Sequence, residues 1–360
     1  MTVIAISNQK GGCGKTTTSI NLAAALASHD KKTLLIDLDP QAHATFGLGI
    51  RSDKAHGSMY NILTEQADRR VQFIEDVLVP IQKNFDLAPS HILLSMIEQE
   101  FTNKDESVSR LHDILSNISF HYDFVIIDCP PSLGFLTFNA LRASDIVIVP
   151  IELSSFSLMG VDKLLSMIEL IRVKIQHTPK VFALPTMVDL RSNLSKHMMD
   201  EIKNAFGEQV LTTSIRQTVA VRESQMKGAS LLNHAPKSKG ALDHLILAQE
   251  IISRTSPQDL SQHAKADNRL ELSESKFLHD FSLNLPAQDV HIVGDFNNWS
   301  VSNQSRLWQK DEGVWEKRLF LQPGVYRYKF IVDGKWITDP HNDTIKPNPY
   351  GGVDSVLEVQ

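Results

Sequence analysis

Cysteine is nearly absent: the two in 360 residues, Cys13 and Cys129, cannot build the disulfide framework of a small secreted protein. They read as two small buried residues in a reducing compartment, or as a redox pair if the fold brings them together. A long apolar run is missing as well. No stretch approaches the roughly 20 residues that a membrane helix needs. Met1 and Thr2 lead into "VIAI" with no basic leader, so a cytosolic protein without a membrane anchor is expected. Nor is there a cationic surplus. With 36 Lys and Arg against 42 Asp and Glu the formal charge is -6, which leaves any nucleic-acid binding to a local patch. No tryptophan precedes Trp299, and Trp299, Trp308, Trp315 and Trp336 fall in one C-terminal stretch.

A chain of this length exceeds one ordinary core, so two domains are expected. Short, continuously apolar runs recur in the first part: "VIAIS", "TLLID", "FVIID", "IVIVPI" and "VFALP". Strands covered on both faces have this texture. Helical patterns lie between them, such as "TTTSINLAAALASH", "GVDKLLSMIELIRVKI" and "GALDHLILAQEIISR". Alternating strands and helices predict an α/β domain over residues 1–254 with a doubly wound, mostly parallel sheet. Residues 255–275 are polar and free of aromatics, the composition of a linker. From 276 to 360 the residues alternate and are punctuated by Pro-Gly, Asp-Gly and Asn-Asn, which predicts a small all-β, immunoglobulin-like sandwich.

The segment "NQKGGCGKTTT" after the first strand departs from the usual phosphate loop, G-x-x-x-x-G-K-[ST], because Gln9 stands where the first glycine belongs and Lys10 follows it. Gly11, Gly12, Cys13, Gly14, Lys15, Thr16 and Thr17 are the expected ATP-binding residues. Glycines let backbone N–H groups and a helix N-terminus approach the phosphates. Lys15 is assigned to the β and γ phosphates, and the Thr16 hydroxyl to Mg2+. Asp37 and Asp39 in "DLDPQ", and Asp128 in "DCPPS", fall at strand C-termini, where ligands of such sheets bind. Acids there suit a hydrated Mg2+ ion and the orientation of an attacking water.

"KGGCGKTTTSINLAAALA", "LLIDLDPQAHATFGLGI", "DFVIIDCPPSLGFLTFNAL" and "LPTMVDLRSNLS" closely resemble the ParA/Soj family of partition ATPases, which is related to MinD. The resemblance spans residues 1 to about 253. It implies the deviant loop K-G-G-x-G-K-[ST], in which Lys10 crosses an ATP-bound homodimer to touch the partner's phosphates. It also implies catalytic roles for Lys10, Lys15 and Asp39, with Asp39 positioning the attacking water. Asp37 and Asp128, with Thr16, would serve Mg2+. Family members bind DNA non-specifically through basic residues displayed by the dimer, answer to a ParB-like stimulating protein, and associate with the nucleoid. Many of them read "I-P-R-N-V-R-L-x-E-A-P" where this chain has "SIRQTVAVRESQMKG". The cations have moved, and Arg191, Arg216, Arg222 and Lys227 are the candidates here, with Lys237 and Lys239 able to extend the patch. MinD-like proteins end in an amphipathic membrane helix, but a buried face is the better reading of "LDHLILAQEI".

"DVHIVGDFNNWS", "GVWEKRLFLQPGVYRYKFIVDGKWITDP" and "YGGVDSVLEVQ" resemble the glycogen-binding module of AMP-activated kinase β subunits and the related starch-binding domains of branching enzymes. A glucan site needs exposed aromatic planes beside polar groups. By that resemblance Trp299, Lys329, Trp336 and Tyr350 are the sugar-binding candidates, whereas Trp315 is assigned to the core. Strand parity sends Tyr326, Tyr328 and Phe330 to one face and Arg327 and Lys329 to the other. The kinase module closes with "L-G-T-V-N-N"; Tyr350, Gly352 and Asp354 stand at its sugar-contacting positions.

The function expected from all this is an ATP-dependent dimerising ATPase that binds DNA and segregates or positions DNA or another cargo, with glycogen or another α-glucan as a partner. The alternative is a nucleotide-gated regulatory or scaffold protein whose sandwich docks a protein.

Overall fold

The computed structural model describes residues 1–51, 57–64, 73–100, 108–118, 122–153, 161–189, 193–255, 277–301, 305–311, 313–321, 323–348 and 351–359. The chain divides into two units, Met1–Ala266 and Asp267–Gln360. Most of the expected linker lies outside the described residues.

The first unit is built on seven strands: β1 (Thr2–Ile6), β2 (Thr33–Asp37), β3 (Val79–Gln82), β4 (Phe85–Ala88), β5 (Phe124–Asp128), β6 (Ile146–Glu152) and β7 (Lys180–Thr186). Their order is β3-β4-β2-β5-β1-β6-β7, and every pair is parallel except β3–β4. The continuous apolar runs have a direct cause. Val3 and Ala5 point into the core on one side of the sheet, and Ile4 and Ile6 into the core on the other. β3 and β4 were not anticipated. They are four residues each, and β3 carries Pro80 on the sheet edge, where a missing N–H breaks no central ladder.

Helix α1 (Lys15–Ser28) follows β1 and is buried over most of its length, with Ala23, Ala24 and Ala25 allowing close approach to the sheet. The helix Lys239–Arg254 packs on α1. Its Leu247, Ala248 and Ile251 are fully buried in the same core, so this apolar stripe is a packing face. No helix among the described residues is long and apolar enough to cross a membrane.

The second unit holds β8 (Phe277–Asn284), β9 (Val290–Gly294), β10 (Trp308–Asp311), β11 (Val314–Leu321), β12 (Gly324–Val332), β13 (Lys335–Ile337), β14 (Ile345–Pro347) and β15 (Val353–Val359). One antiparallel sheet runs β10-β11-β8; the other runs β13-β12-β15-β14, with β9 also paired to β12. Phe281, Leu283, Ile292, Trp315, Tyr328 and Phe330 share the core between them. Trp315 is 4% exposed, as alternation along its strand requires.

Candidate nucleotide site and carbohydrate platform

The loop between β1 and α1 holds the phosphate-binding candidates. Gly12 and Gly14 adopt φ of 77° and 95°, left-handed conformations that favour glycine. Gly14 is the residue before the first turn of α1, so the N-terminus of that 14-residue helix opens onto the loop. A methyl group at Gly11 or Gly12 would meet nothing beyond its chain neighbours within 4 Å, which leaves the outer side of the loop clear. The loop is tied down from behind. Asn8 donates to the Pro150 carbonyl (2.7 Å) and accepts from the Lys10 N–H (3.0 Å), and Thr186 donates to the Cys13 carbonyl (2.8 Å).

Lys15 is buried and donates to the Lys10 carbonyl (3.1 Å). The Lys10 ammonium instead lies against Glu152 at the end of β6, 2.6 Å away. Cys13 and Cys129 are both free and buried, and burial pushes both thiols up. Neither is therefore a poised thiolate.

Asp37 and Asp128 end neighbouring parallel strands, paired in register. Both are fully buried, and desolvation raises both carboxyls above the usual range. At Asp37 the negative charge of Asp128 adds to the rise; at Asp128 the Ser19 and Thr16 hydroxyls oppose it. Their hydrogen bonds differ. Asp37 accepts from the Asp39 N–H (3.1 Å), the Thr45 N–H (2.8 Å) and the Thr45 hydroxyl (2.7 Å), so its carboxylate is engaged in fixing the turn after β2. Asp128 accepts from Ser19 (2.8 Å) through one oxygen, while the other is buried with no hydrogen bond. An unsatisfied buried carboxylate oxygen beside Thr16 fits a hydrated Mg2+ ion. Among the described residues no group of three His, Cys, Asp or Glu is arranged to hold a metal, as suits an ion bound mainly through phosphate and water.

Asp39 is held beyond β2 by the N–H of Gln41 on one carboxylate oxygen (2.9 Å) and by Ser90 on its carbonyl (2.6 Å). The loop glycines, Lys15, Thr16 and Asp128 thus gather at one end of the sheet, with Asp39 on the adjoining turn. The residues that hold this group in place, Asn8, Ser19, Thr45, Glu152 and Thr186, were not singled out from the sequence. Their partners lie as far as 173 residues away, and no local pattern marks them.

The basic candidates are unequal. Arg216 is bound to Asp243 through two guanidinium nitrogens, and its N–H reaches the same carboxylate (2.9 Å). Arg222, Lys227, Lys237 and Lys239 are exposed. Gln225, on the helix Ala220–Met226 with Arg222, stands 3.5 Å from the Thr17 hydroxyl. Arg191 lies outside the described residues.

On the second unit, Trp299 and Trp336 lie nearly parallel, ring centroids 6.4 Å apart and planes 25° from each other. Trp336 is 52% exposed. Trp299 follows Asn298 in a turn where both have positive φ, 57° and 51°. A bulky side chain rarely tolerates that conformation, and such strain gathers at binding sites. Asp295 fixes the turn, accepting from the Trp299 indole N–H (3.0 Å) and the Arg327 N–H (2.8 Å). Lys329 is on the outer face, opposite buried Tyr328 and Phe330, and faces Asp354. Tyr350 and the preceding Pro349 lie outside the described residues.

Residues 1–181 match the family described as an AAA domain, and residues 279–360 the family described as the glycogen recognition site of AMP-activated protein kinase. The chromosome partitioning protein ParA of Myxococcus xanthus is 39% identical over 258 residues, 71% of this chain and 89% of that protein. The sporulation initiation inhibitor protein Soj of Bacillus subtilis is 39% identical over 250 residues, 69% of this chain and 97% of that protein. Among solved structures, cobyrinic acid a,c-diamide synthase from Mycobacterium smegmatis, with bound ATP analogue and magnesium, is 31% identical. It superposes with a TM-score of 0.61 over 71% of this chain and 95% of its own.

Proposed function

Because the chain belongs to the ParA/Soj family of partition ATPases, we propose that its first unit is an ATP- and Mg2+-dependent dimerising switch that binds DNA and positions a cargo, and that its second unit binds α-glucan. The observation that carries the first half is the buried, unsatisfied oxygen of Asp128 beside a loop shaped for phosphate. The solved relative with an ATP analogue and magnesium supports the same cofactors.

In this reading the backbone N–H groups of residues 11–16 and the Lys15 ammonium hold the triphosphate. Thr16 and Asp128 hold Mg2+, which supplies neutralisation of the charge that develops on the transferred phosphoryl group. Asp39 orients the attacking water. Lys10 leaves Glu152 and adds a cation to the partner subunit's site, so hydrolysis depends on dimerisation. A dimer doubles every basic group on the face that carries Arg222 and Lys227. Since each phosphate contact adds about 0.9 to the salt dependence of binding, dimerisation converts weak contacts into nucleoid retention. A ParB-like protein stimulates hydrolysis and release.

The nearly parallel tryptophans carry the second half, because such aromatic planes match the apolar face of a sugar ring. Two modules per dimer add avidity toward a branched glucan. Co-sedimentation of the full chain with DNA and with glycogen, each with and without ATP, tests both halves. DNA retention only with ATP, and glycogen binding lost in Trp336→Ala, are the expected results. Glycogen binding unchanged by Trp336→Ala would favour a sandwich that docks a protein.

A further inference from the structure

Asp354 and Lys329 meet on the outer face of the second unit without closing a hydrogen bond. The ammonium stands 3.6 Å from the carboxylate, and the side chains are only 16% and 7% exposed. A formed ammonium–carboxylate bond spans about 2.7–2.9 Å. The same carboxylate oxygen accepts from the Asn348 amide at 2.8 Å, which anchors the acid from the other side. Gly352 borders the pair. A methyl group there would come within 3.4 Å of the Asn348 amide and 3.7 Å of the Lys329 ammonium, so any side chain at this position would crowd the pair. Along β12, Lys329 and Ile331 share the outer face, and Ile331 pairs in register with Trp336. The pair therefore belongs to the same face as Trp336.

We propose that Asp354 is a specificity-determining residue that restricts this face to unmodified α-glucan and rejects phosphorylated glucan. The proposal rests on the glucan reading given above and adds the class of glucan. A sugar hydroxyl seated between the two groups accepts from Lys329 and donates to Asp354, and only a free hydroxyl can do both. An esterified oxygen has no proton to donate. Its phosphoryl group brings a charge of about -1.5 to -2 against a carboxylate that is almost out of water, where screening is weak. Other cations share the face. Arg327 donates to the Pro347 carbonyl (3.1 Å), and exposed Lys346 pairs in register with Asp354. These attract anions from solvent, and ordinary salt screens that attraction, whereas the Asp354 contact is short-ranged.

Calorimetric titration of the full chain with maltoheptaose and with phosphorylated maltoheptaose, at about 0.15 M and 0.5 M salt, tests this. Wild type is expected to bind the unmodified sugar at least several-fold more tightly, with the preference kept at high salt. Asp354→Asn, which keeps an acceptor and removes the charge, is expected to bring the ratio toward one, and Lys329→Ala to weaken both ligands. Equal affinities in wild type, or a ratio unmoved by Asp354→Asn in a variant with wild-type thermal unfolding, would overturn the proposal. Failure of wild type to bind either sugar would instead remove the glucan reading beneath it.

Discussion

The ammonium of Lys10 rests 2.6 Å from the carboxylate of Glu152, across the end of the strand that flanks the phosphate loop. Both side chains are about a third exposed, at 27% and 32%, so the pair contributes at most about 1 kcal/mol to the fold. To act in a partner's site, Lys10 has to exchange this contact for a phosphate. Glu152→Gln should then lower the protein concentration at which ATP produces dimers several-fold, as measured by analytical ultracentrifugation. Lys10→Ala should abolish the dimer and leave the unfolding midpoint nearly unchanged. A dimer weakened by Glu152→Gln would mean that the carboxylate supports Lys10 in the dimer instead of retaining it.

Arg216 and Arg222 lie on the same segment yet have different prospects. The Asp243 carboxylate is 6% exposed and already takes the Arg216 guanidinium. Removing the arginine leaves a buried charge uncompensated, a cost on the order of 3 kcal/mol. Arg216→Ala should therefore appear in denaturant unfolding before it appears in DNA binding. Charge reversal at exposed Arg222 and Lys227 should do the opposite, removing ATP-dependent DNA retention at unchanged stability. Gel shifts of the double reversal that match wild type at low salt would dismiss this face.

These contrasts show where local sequence informs and where it stops. β1, β2, β5, β6 and β7 were legible because each is apolar on every residue that meets a helix layer, and α1 because a glycine loop precedes it and an alanine run fills its second half. The hairpin β3–β4 was not, since four residues at a sheet edge are too short for periodicity to register. The site divides the same way. Lys15, Thr16 and Asp128 follow from motif spacing. That Asp37 is consumed by Thr45, that Arg216 is consumed by Asp243, and that Lys10 has Glu152 for a neighbour depend on chain crossings which no short window contains.

His244, on the helix that packs against α1, is fully buried. Its Nδ1 faces the Gly240 carbonyl (2.7 Å), and Nε2 has no hydrogen bond. Desolvation lowers its pKa from 6.5 to about 4, against smaller opposing effects of the Gly240 carbonyl and Asp243. The folded value lies below the unfolded one, so the unfolded chain binds the extra proton first. Stability from this residue is complete above pH about 6.5 and is lost as pH falls toward 4, by roughly 3 kcal/mol in all. Urea unfolding at pH 7.0, 5.5 and 4.5 should show a shallower acid decline in His244→Leu than in wild type. Parallel declines would show that the imidazole does not titrate between the two states.

Asp128 sets the opposite sign. Burial raises its carboxyl and that of Asp37, so the folded values exceed the unfolded ones. The metal-free fold is then most favoured where both are protonated, and it weakens as pH rises through the folded values. Asp128→Asn keeps an acceptor for Ser19 and removes one buried charge from the pair. Without nucleotide, its thermal midpoint should match wild type only near pH 4, where the carboxyl is protonated in both states, and exceed it by a few degrees near pH 8. Hydrolysis should be lost, because the oxygen that fits Mg2+ is replaced by an amide. Magnesium with ATP should raise the wild-type midpoint more at pH 8 than at pH 6, since binding the ion takes up the charge that burial penalises. A variant less stable than wild type at pH 8 would mean that the two carboxylates are already neutralised within the chain, and the unsatisfied oxygen would no longer mark a cation site.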